Sequence, residues 1–383
     1  MIPFTEIFER IKNEEIRDGA TDSATENKYK GRVNQIYQYD IPTKYDYPFL
    51  SKEMTAISLT ASYSTGTVAM DISASTTAIT GTDTVWVTAH TGQKIKINGN
   101  DEIYTFTYVS GTTGTISPAY TGDEDVEDET YTIFQDKYSL DSDFMRINKP
   151  TGLYYYDNGQ IVDVDLDTEE EFFRGRTWTP NSRLNSVYIP EDEVDSSGYR
   201  VMKISSPVST AMVLHGKYIN IPAELTEYTT GYITELANAG TAVTGSGTAW
   251  STYMSAAQLA AHSFYFRVDA NGTGSASVWY KVSAAASATS ITLSSAFQGT
   301  TITGGTSTDT YTVCMAPDWP ENTAPILIYG GCLLSSVEQD NTTQSTSHAA
   351  LYKNATENVT SMYVKNRRDQ RVRSMYEGRA RYA

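Results

Sequence analysis

The sequence predicts an α+β fold, mainly β, in which N- and C-terminal helices form a helical body and small β-sandwich or barrel-like modules are inserted between them. Three observations carry that expectation: helical spacing of apolar residues near both ends, period-two alternation through the long middle, and one stretch of the middle echoed by another.

Phe4, Ile7, Phe8 and Ile11 share one helical face, with Thr5 as a possible cap and acids in the first turns, which predicts a helix over 4–18. Residues 19–28 are small and polar. A second helical pattern follows at Tyr29, Val33, Ile36 and Tyr37, and Pro42 is expected to stop it. From Thr55 the grammar changes: Ile57, Leu59, Val68, Met70 and Ile72 alternate among Ser, Thr and Gly, as in half-buried strands. Further strands are expected at 153–156, 160–164, 200–204 and 211–214. After Pro317, Pro320 and Pro325 the helical period returns at Ile326, Leu327, Gly330, Leu333 and Leu334. It resumes at Leu351, Tyr352, Ala355, Val359, Met362 and Tyr363 beyond a polar gap over 341–347.

The echo is specific in its order. Ile79-Thr-Gly-Thr-Asp-Thr-Val-Trp86 reads like Val243-Thr-Gly-Ser-Gly-Thr-Ala-Trp250, and Lys94–Ile97 then parallels Tyr265–Val268. Ile103-Tyr104 parallels Trp279-Tyr280, Ala119–Gly122 parallels Ala296–Gly299, and Tyr131–Ile133 parallels Tyr311–Val313. This predicts two copies of one small β-module. The division read from these patterns is 1–60 for the N-terminal helices, 61–136 for the first module and 137–230 for a central β region. The second module takes 231–316, and the C-terminal helices with a basic tail take 317–383.

Composition narrows function. The 383 residues hold 29 Lys and Arg against 46 Asp and Glu, a net charge of −17, so bulk attraction to phosphate or to an anionic membrane is excluded as the main activity. The acidity is concentrated in 64–136, with 11 acids and 2 bases, and in 157–195, with 11 acids and 3 bases. Residues 365–383 reverse it with Lys365 and six arginines against Asp369 and Glu377, which points to an acidic partner or another copy of the chain. Two cysteines, Cys314 and Cys332, are too few for a disulfide framework, and a reducing compartment fits. The N-terminal residues lack a basic segment followed by an apolar one, and no stretch approaches the ~18 apolar residues of a membrane span. The 28 tyrosines favour β-structure and broad contact surfaces.

Residues that could carry chemistry are sparse. His90, His215, His262 and His348 are isolated, and no nucleophile elbow, phosphate loop or dinucleotide fingerprint can be read. Asp163-Val-Asp165-Leu-Asp167 begins like a calcium loop, but Thr168 stands where the loop needs Gly and Arg174 where it needs Glu. The run Asp123-Glu124-Asp125-Val126-Glu127-Asp128-Glu129 is expected to be a solvated loop tip. The expectation is a protein that is not an enzyme, with no catalytic, cofactor or metal site.

The order of parts resembles the head-to-tail adaptor (connector) proteins of tailed bacteriophages. Four stretches carry the resemblance: the helix Phe4 to Ile16; the second helix leading into Tyr45-Asp-Tyr-Pro-Phe-Leu50; Tyr131-Thr-Ile-Phe-Gln-Asp-Lys-Tyr-Ser-Leu140-Asp-Ser-Asp-Phe144-Met-Arg146; and the terminal helices with their basic tail. Together they touch about half the chain, and none is a signature with an invariant chemical residue. The length of this chain and its second β-module depart from the family pattern.

The resemblance implies a structural virion protein of the neck at the portal vertex, assembled in the host cytoplasm. It implies a homo-oligomeric ring of twelve subunits, docked on the portal protein and continuing the DNA channel toward tail, nozzle or tail-hub proteins. DNA would pass without sequence-specific binding, and no membrane would be involved. The C-terminal arm is the expected portal-binding element, through Arg367, Arg368, Arg371, Arg373, Arg379 and Arg381 with Tyr363, Tyr376 and Tyr382, since Arg and Tyr carry interface energy disproportionately. Asp123, Glu124, Asp125, Glu169, Glu170 and Glu171 are candidates to line the channel and repel phosphate. Two other readings are a tail or surface β-repeat protein binding host glycans through Trp86, Trp250 and Trp279, and a tail-associated glycan hydrolase.

Overall fold

The computed structural model describes residues 1–15, 23–148, 152–269 and 278–363. It is a mixed α/β chain with more strand than helix. It divides into two compact units: Ser51–Asn220, and Met1–Leu50 together with the residues from Ile221 onward.

In the unit made from both ends of the chain, helices Phe4–Glu15, Ser23–Gln35, Ala324–Glu338 and Thr342–Tyr363 touch one another. Phe4, Ile7, Phe8 and Ile11 are all buried, so the apolar face read from the sequence is the packed face. Two adjacent glycines let the backbones approach. A Cβ at Gly331 would overlap Ile11 Cδ1, and one at Gly330 would lie 2.7 Å from Ile36 Cδ1. Ion pairs close the rim: Lys12 to Glu26 at 2.8 Å, and Arg32 to Glu338 with a further bond from Arg32 to Ser335. Farther along, the Tyr47 hydroxyl donates to the Thr356 carbonyl at 3.2 Å.

Some boundaries differ from the expectation. The second helix starts at Ser23, inside the polar stretch, because Glu26 finds Lys12 and Tyr29 finds the core. Pro42 does not stop the run at once: the helical backbone continues through a π turn over Ile36–Asp40 into a short helix, Ile41–Lys44, with Pro42 in its first turn, and ends at Tyr45. The polar gap begins a helix at Thr342, with Asn341 Oδ1 accepting from the Gln344 N–H at 3.2 Å.

The same unit holds an eight-stranded sheet, ordered 227–228, 311–315, 264–268, 280–287, 290–293, 242–246, 232–236, 302–303. In the other unit a seven-stranded sheet runs 131–134, 94–97, 103–108, 113–117, 78–82, 67–70, 126–129. From Tyr311 on, the first order is the second repeated strand for strand. The bridge Tyr63 to Ile133 matches the pairing of Tyr228 with Val313.

Hydrogen bonds repeat as well. Trp86 N–H donates to the Gly111 carbonyl and Trp250 N–H to that of Ala288, each at 3.0 Å. The Thr84 and Thr248 hydroxyls bond the same two carbonyls. Tyr63 accepts from Val85 N–H as Tyr228 accepts from Ala249 N–H, each at 2.7 Å, and Tyr131 donates to Thr65 where Tyr311 donates to Thr230. Gly66 and Gly231, at φ of 82° and 87°, supply the left-handed turn in each copy.

The remaining sheet of the 51–220 unit has nine strands: 51–53, 57–59, 137–139, 144–147, 153–157, 160–166, 186–188, 201–204 and 212–220. Its buried face gathers Leu59, Leu153, Tyr155, Val164, Val187, Met202 and Leu214. Strands 51–53 and 57–59, which the sequence reading grouped with the N-terminal helices, pair with Met212–Asn220 instead. Only a long-range register decides that, since three-residue strands carry little local signal.

Candidate interaction surfaces

The first acidic group sits where the chain enters strand Val126–Glu129. Asp123, Glu124 and Asp125 are exposed, and with Glu127, Glu129, Asn98, Asn100 and Tyr120 they rim an open depression of about 620 Å³. Asp125 also accepts from the Ile72 N–H at 2.9 Å, so one of its oxygens is spent holding the turn. Among the described residues no cationic side chain lines the depression. Its field repels phosphate over roughly one Debye length, ~8 Å at physiological salt.

The second group opens helix Glu169–Gly175. Glu171 receives the Thr168 N–H at 3.0 Å and the Thr168 hydroxyl at 2.8 Å, closing a capping box that holds its carboxyl below the usual carboxylate range. Glu170 pairs with Arg174 one turn on at 2.6 Å, and Glu169 faces solvent. Two of these three acids therefore have local structural work. The two acidic groups belong to different sheets' surroundings, the seven-stranded for 123–125 and the nine-stranded for 169–171. Asp163 and Asp165 lie on strand Gln160–Leu166, not in a loop, so the calcium-like spacing is not a calcium loop. Among the described residues no cluster of three His, Cys, Asp or Glu could hold a metal ion.

Of the arm residues only Tyr363 is described. Its ring meets Phe49 edge-on at 5.3 Å and its hydroxyl donates to Asn322 at 3.3 Å, so it is partly engaged within its own unit. Arg367, Arg368, Arg371, Arg373, Tyr376, Arg379, Arg381 and Tyr382 lie outside the described residues. Trp86 and Trp250 are 2% and 0% exposed, packed in module cores, and Trp279 is covered by the Arg267 guanidinium at 4.6 Å. Trp86 and Trp250 are therefore not free platforms for a sugar ring, and Arg267 occupies one face of the part-exposed Trp279.

Sequence reasoning missed two charged clusters. Lys137 and Lys203 are direct cross-strand neighbours, and Glu193 pairs with both. Burial alone would raise the Glu193 carboxyl, but hydrogen bonds from Lys137 and Lys203 outweigh it and leave the pKa lowered. Beside them, Arg176 lies between the Trp178 ring at 3.9 Å and Asp136 at 2.8 Å, and burial lowers its pKa. No spacing in the chain announces either cluster, because 137, 193 and 203 meet only through sheet register. The cysteines are both buried, and burial pushes the Cys314 thiol up to about 12, far from a reactive thiolate.

No family model matches the chain, and no curated protein matches it. One solved structure, the translation elongation factor SelB of Methanococcus maripaludis with the GTP analogue GppNHp, is 9% identical over 70% of this chain. It is aligned over 62% of its own length at a TM-score of 0.13, and a likeness that slight carries no argument. Among the described residues no helix is long and apolar enough to cross a membrane.

Proposed function

We propose that the chain is a structural assembly protein, a head-to-tail adaptor that forms a homo-oligomeric ring of twelve subunits and continues the DNA channel between a portal and the tail. The observation that carries the reading is the insertion architecture. Residues from both ends of the chain build one unit, joined by contacts such as Ile11 with Gly331 and Arg32 with Glu338, and 51–220 is a second compact unit set between Leu50 and Ile221. In this reading the terminal helices are the helical body of the ring. The β-modules face the tail or the outside, and the C-terminal arm, 365–383, docks on the portal. The acids at 123–129 and 169–171 would let DNA slide by repelling its phosphates.

Native mass measurement and electron images of the purified chain, with and without its portal, test this. Rings on the portal are expected. Deleting 365–383 should abolish portal binding and leave a folded protein. A chain that stays monomeric with the portal present, or a truncated chain that still binds it, would reject the reading.

A further inference from the structure

The outward face of the nine-stranded sheet is apolar and aromatic at its centre. Tyr156 pairs across the strands with Ile161, and Tyr154 with both Asp163 and His215. Tyr156 is 54% exposed, Ile161 61% and the neighbouring Val213 42%, so three exposed apolar side chains adjoin across neighbouring strands. The Tyr154 and His215 rings stack at 5.7 Å, and the Tyr156 ring stands against both at 5.8 and 5.6 Å, so the three rings already pack on one another. The turn Asp157-Asn158-Gly159-Gln160, with Asn158 and Gly159 at φ of 49° and 81°, fixes the hairpin that carries it. Carboxylates flank the cluster: Asp163 and Asp165 are exposed and have no ion-pair partner among the described residues.

We propose that this face holds the C-terminal segment, residues 364–383, of a second copy of the chain. The chemistry matches on both sides. The segment brings Lys365 and six arginines against two acids, with Tyr376 and Tyr382. Guanidinium groups stack on Tyr faces within ~6 Å and pair with carboxylates two bonds at a time. Face-to-face pairing of two copies is disfavoured, because Asp163 and Asp165 of each would meet their own kind. At ~3.3–3.6 Å per residue the 20 residues beyond Tyr363 reach on the order of 70 Å, enough to cross to a neighbour. A basic arm laid on a neighbour also relieves the repulsion between chains of net charge −17, which an arm kept on its own chain would leave in place. The inference goes beyond the adaptor reading, since it concerns copies of this chain before any portal is bound: a neighbour holds the arm until the portal takes it.

The experiment uses the full chain. A photoreactive benzophenone amino acid replaces Tyr156 in a mixture of ordinary and nitrogen-15-labelled protein, and the adducts are mapped by mass spectrometry. Adducts from position 156 to peptides of 365–383 carrying the other isotope are expected. Adducts confined to one isotope, adducts to any other segment, or none at all would overturn the proposal. In a second measurement, Tyr156→Ser with Ile161→Ser, both at exposed positions, should speed tryptic cleavage after Arg367 to Arg373 by about tenfold, the loss of ~1.4 kcal/mol of docking. An unchanged cleavage rate would count against it equally. Neither readout depends on whether the chain binds a portal.

Discussion

Arg267 and Glu9, 258 residues apart in sequence, form a two-pronged ion pair with N···O distances of 3.1 and 3.0 Å. It ties the first helix to the second β-module inside one unit. The Arg267 side chain is only 15% exposed, its Nε donates to Asp269 at 2.8 Å, and its flat face covers Trp279. Asp269 in turn accepts from the Thr312 hydroxyl, so helix, strand and neighbouring strand share one polar network. Such a network is costly to break from one side, because the abandoned charge stays half-buried.

Arg267→Gln should therefore destabilise the unit by about 2–4 kcal/mol. Arg267→Lys should recover only part of that, since an ammonium offers neither the fork nor the stacking plane. Urea unfolding of both variants measures it. A loss under about 0.5 kcal/mol for Arg267→Gln would mean that the pair is a screened surface contact.

The duplicated modules provide an internal control on a buried tyrosine. Trp86 Nε1–H donates to the Tyr131 hydroxyl at 2.9 Å, whereas the buried indole N–H of Trp250 faces Tyr311 too loosely for a full hydrogen bond and has no other partner among the described residues. Both tyrosines donate onward to a backbone carbonyl. Tyr131→Phe strips two full hydrogen bonds and orphans the indole; Tyr311→Phe strips one full bond and a weak contact with Trp250. The first should cost more than the second by about 1 kcal/mol. Paired unfolding curves followed by tryptophan fluorescence decide it, and equal losses would contradict the asymmetry.

The module texture was readable in the chain because the residues that repeat are those that the module core demands. Trp86 and Trp250, Tyr131 and Tyr311, and Gly81 and Gly245 are held by sterics. A Cβ at Gly81 would strike the Thr84 side chain, and one at Gly245 would come within 2.7 Å of the Trp250 ring. Residues fixed by such local packing recur in order and can be read as text. The nine-stranded sheet could not be read that way. Its strands 51–53 and 57–59 take their partners from 212–220, and the Lys137, Glu193 and Lys203 cluster exists only through that kind of register. Candidate surfaces divide similarly: the acidic run 123–129 is visible as composition, while the Tyr154, Tyr156 and His215 cluster depends on which strands are neighbours.

Helix packing at Gly331 gives a test with its own rescue. Ile11 is fully buried against this glycine, so Gly331→Ala inserts a methyl group where Cδ1 already sits. Overpacking of this kind costs about 1–3 kcal/mol, less whatever the helix gains from replacing Gly with Ala. Ile11→Val removes the clashing Cδ1. The double variant should consequently be more stable than the sum of the two single changes by more than ~0.5 kcal/mol, the usual limit of additivity for independent sites. Strict additivity would show that the two helices do not meet there.

The Glu193 bridge makes a prediction about pH. Its carboxyl pKa is depressed in the folded chain, so the folded state binds the proton less readily than the unfolded one, whose carboxyl titrates near ~4.3. The bridge's contribution is therefore complete above the unfolded value and is lost as pH falls through the folded one. At neutral pH, Glu193→Gln leaves Lys137 and Lys203 facing each other across the strands with no counter-charge, and with Lys203 only 16% exposed the loss should be roughly 1–3 kcal/mol. Comparing the two proteins by urea unfolding from pH 7 down to pH 3, the gap should be steady at first and shrink below about pH 4, as the native chain protonates the same oxygen. A gap that widens toward acid would mean that Glu193 is bound as a neutral carboxyl, and the assignment of the two lysines as its partners would fall with it.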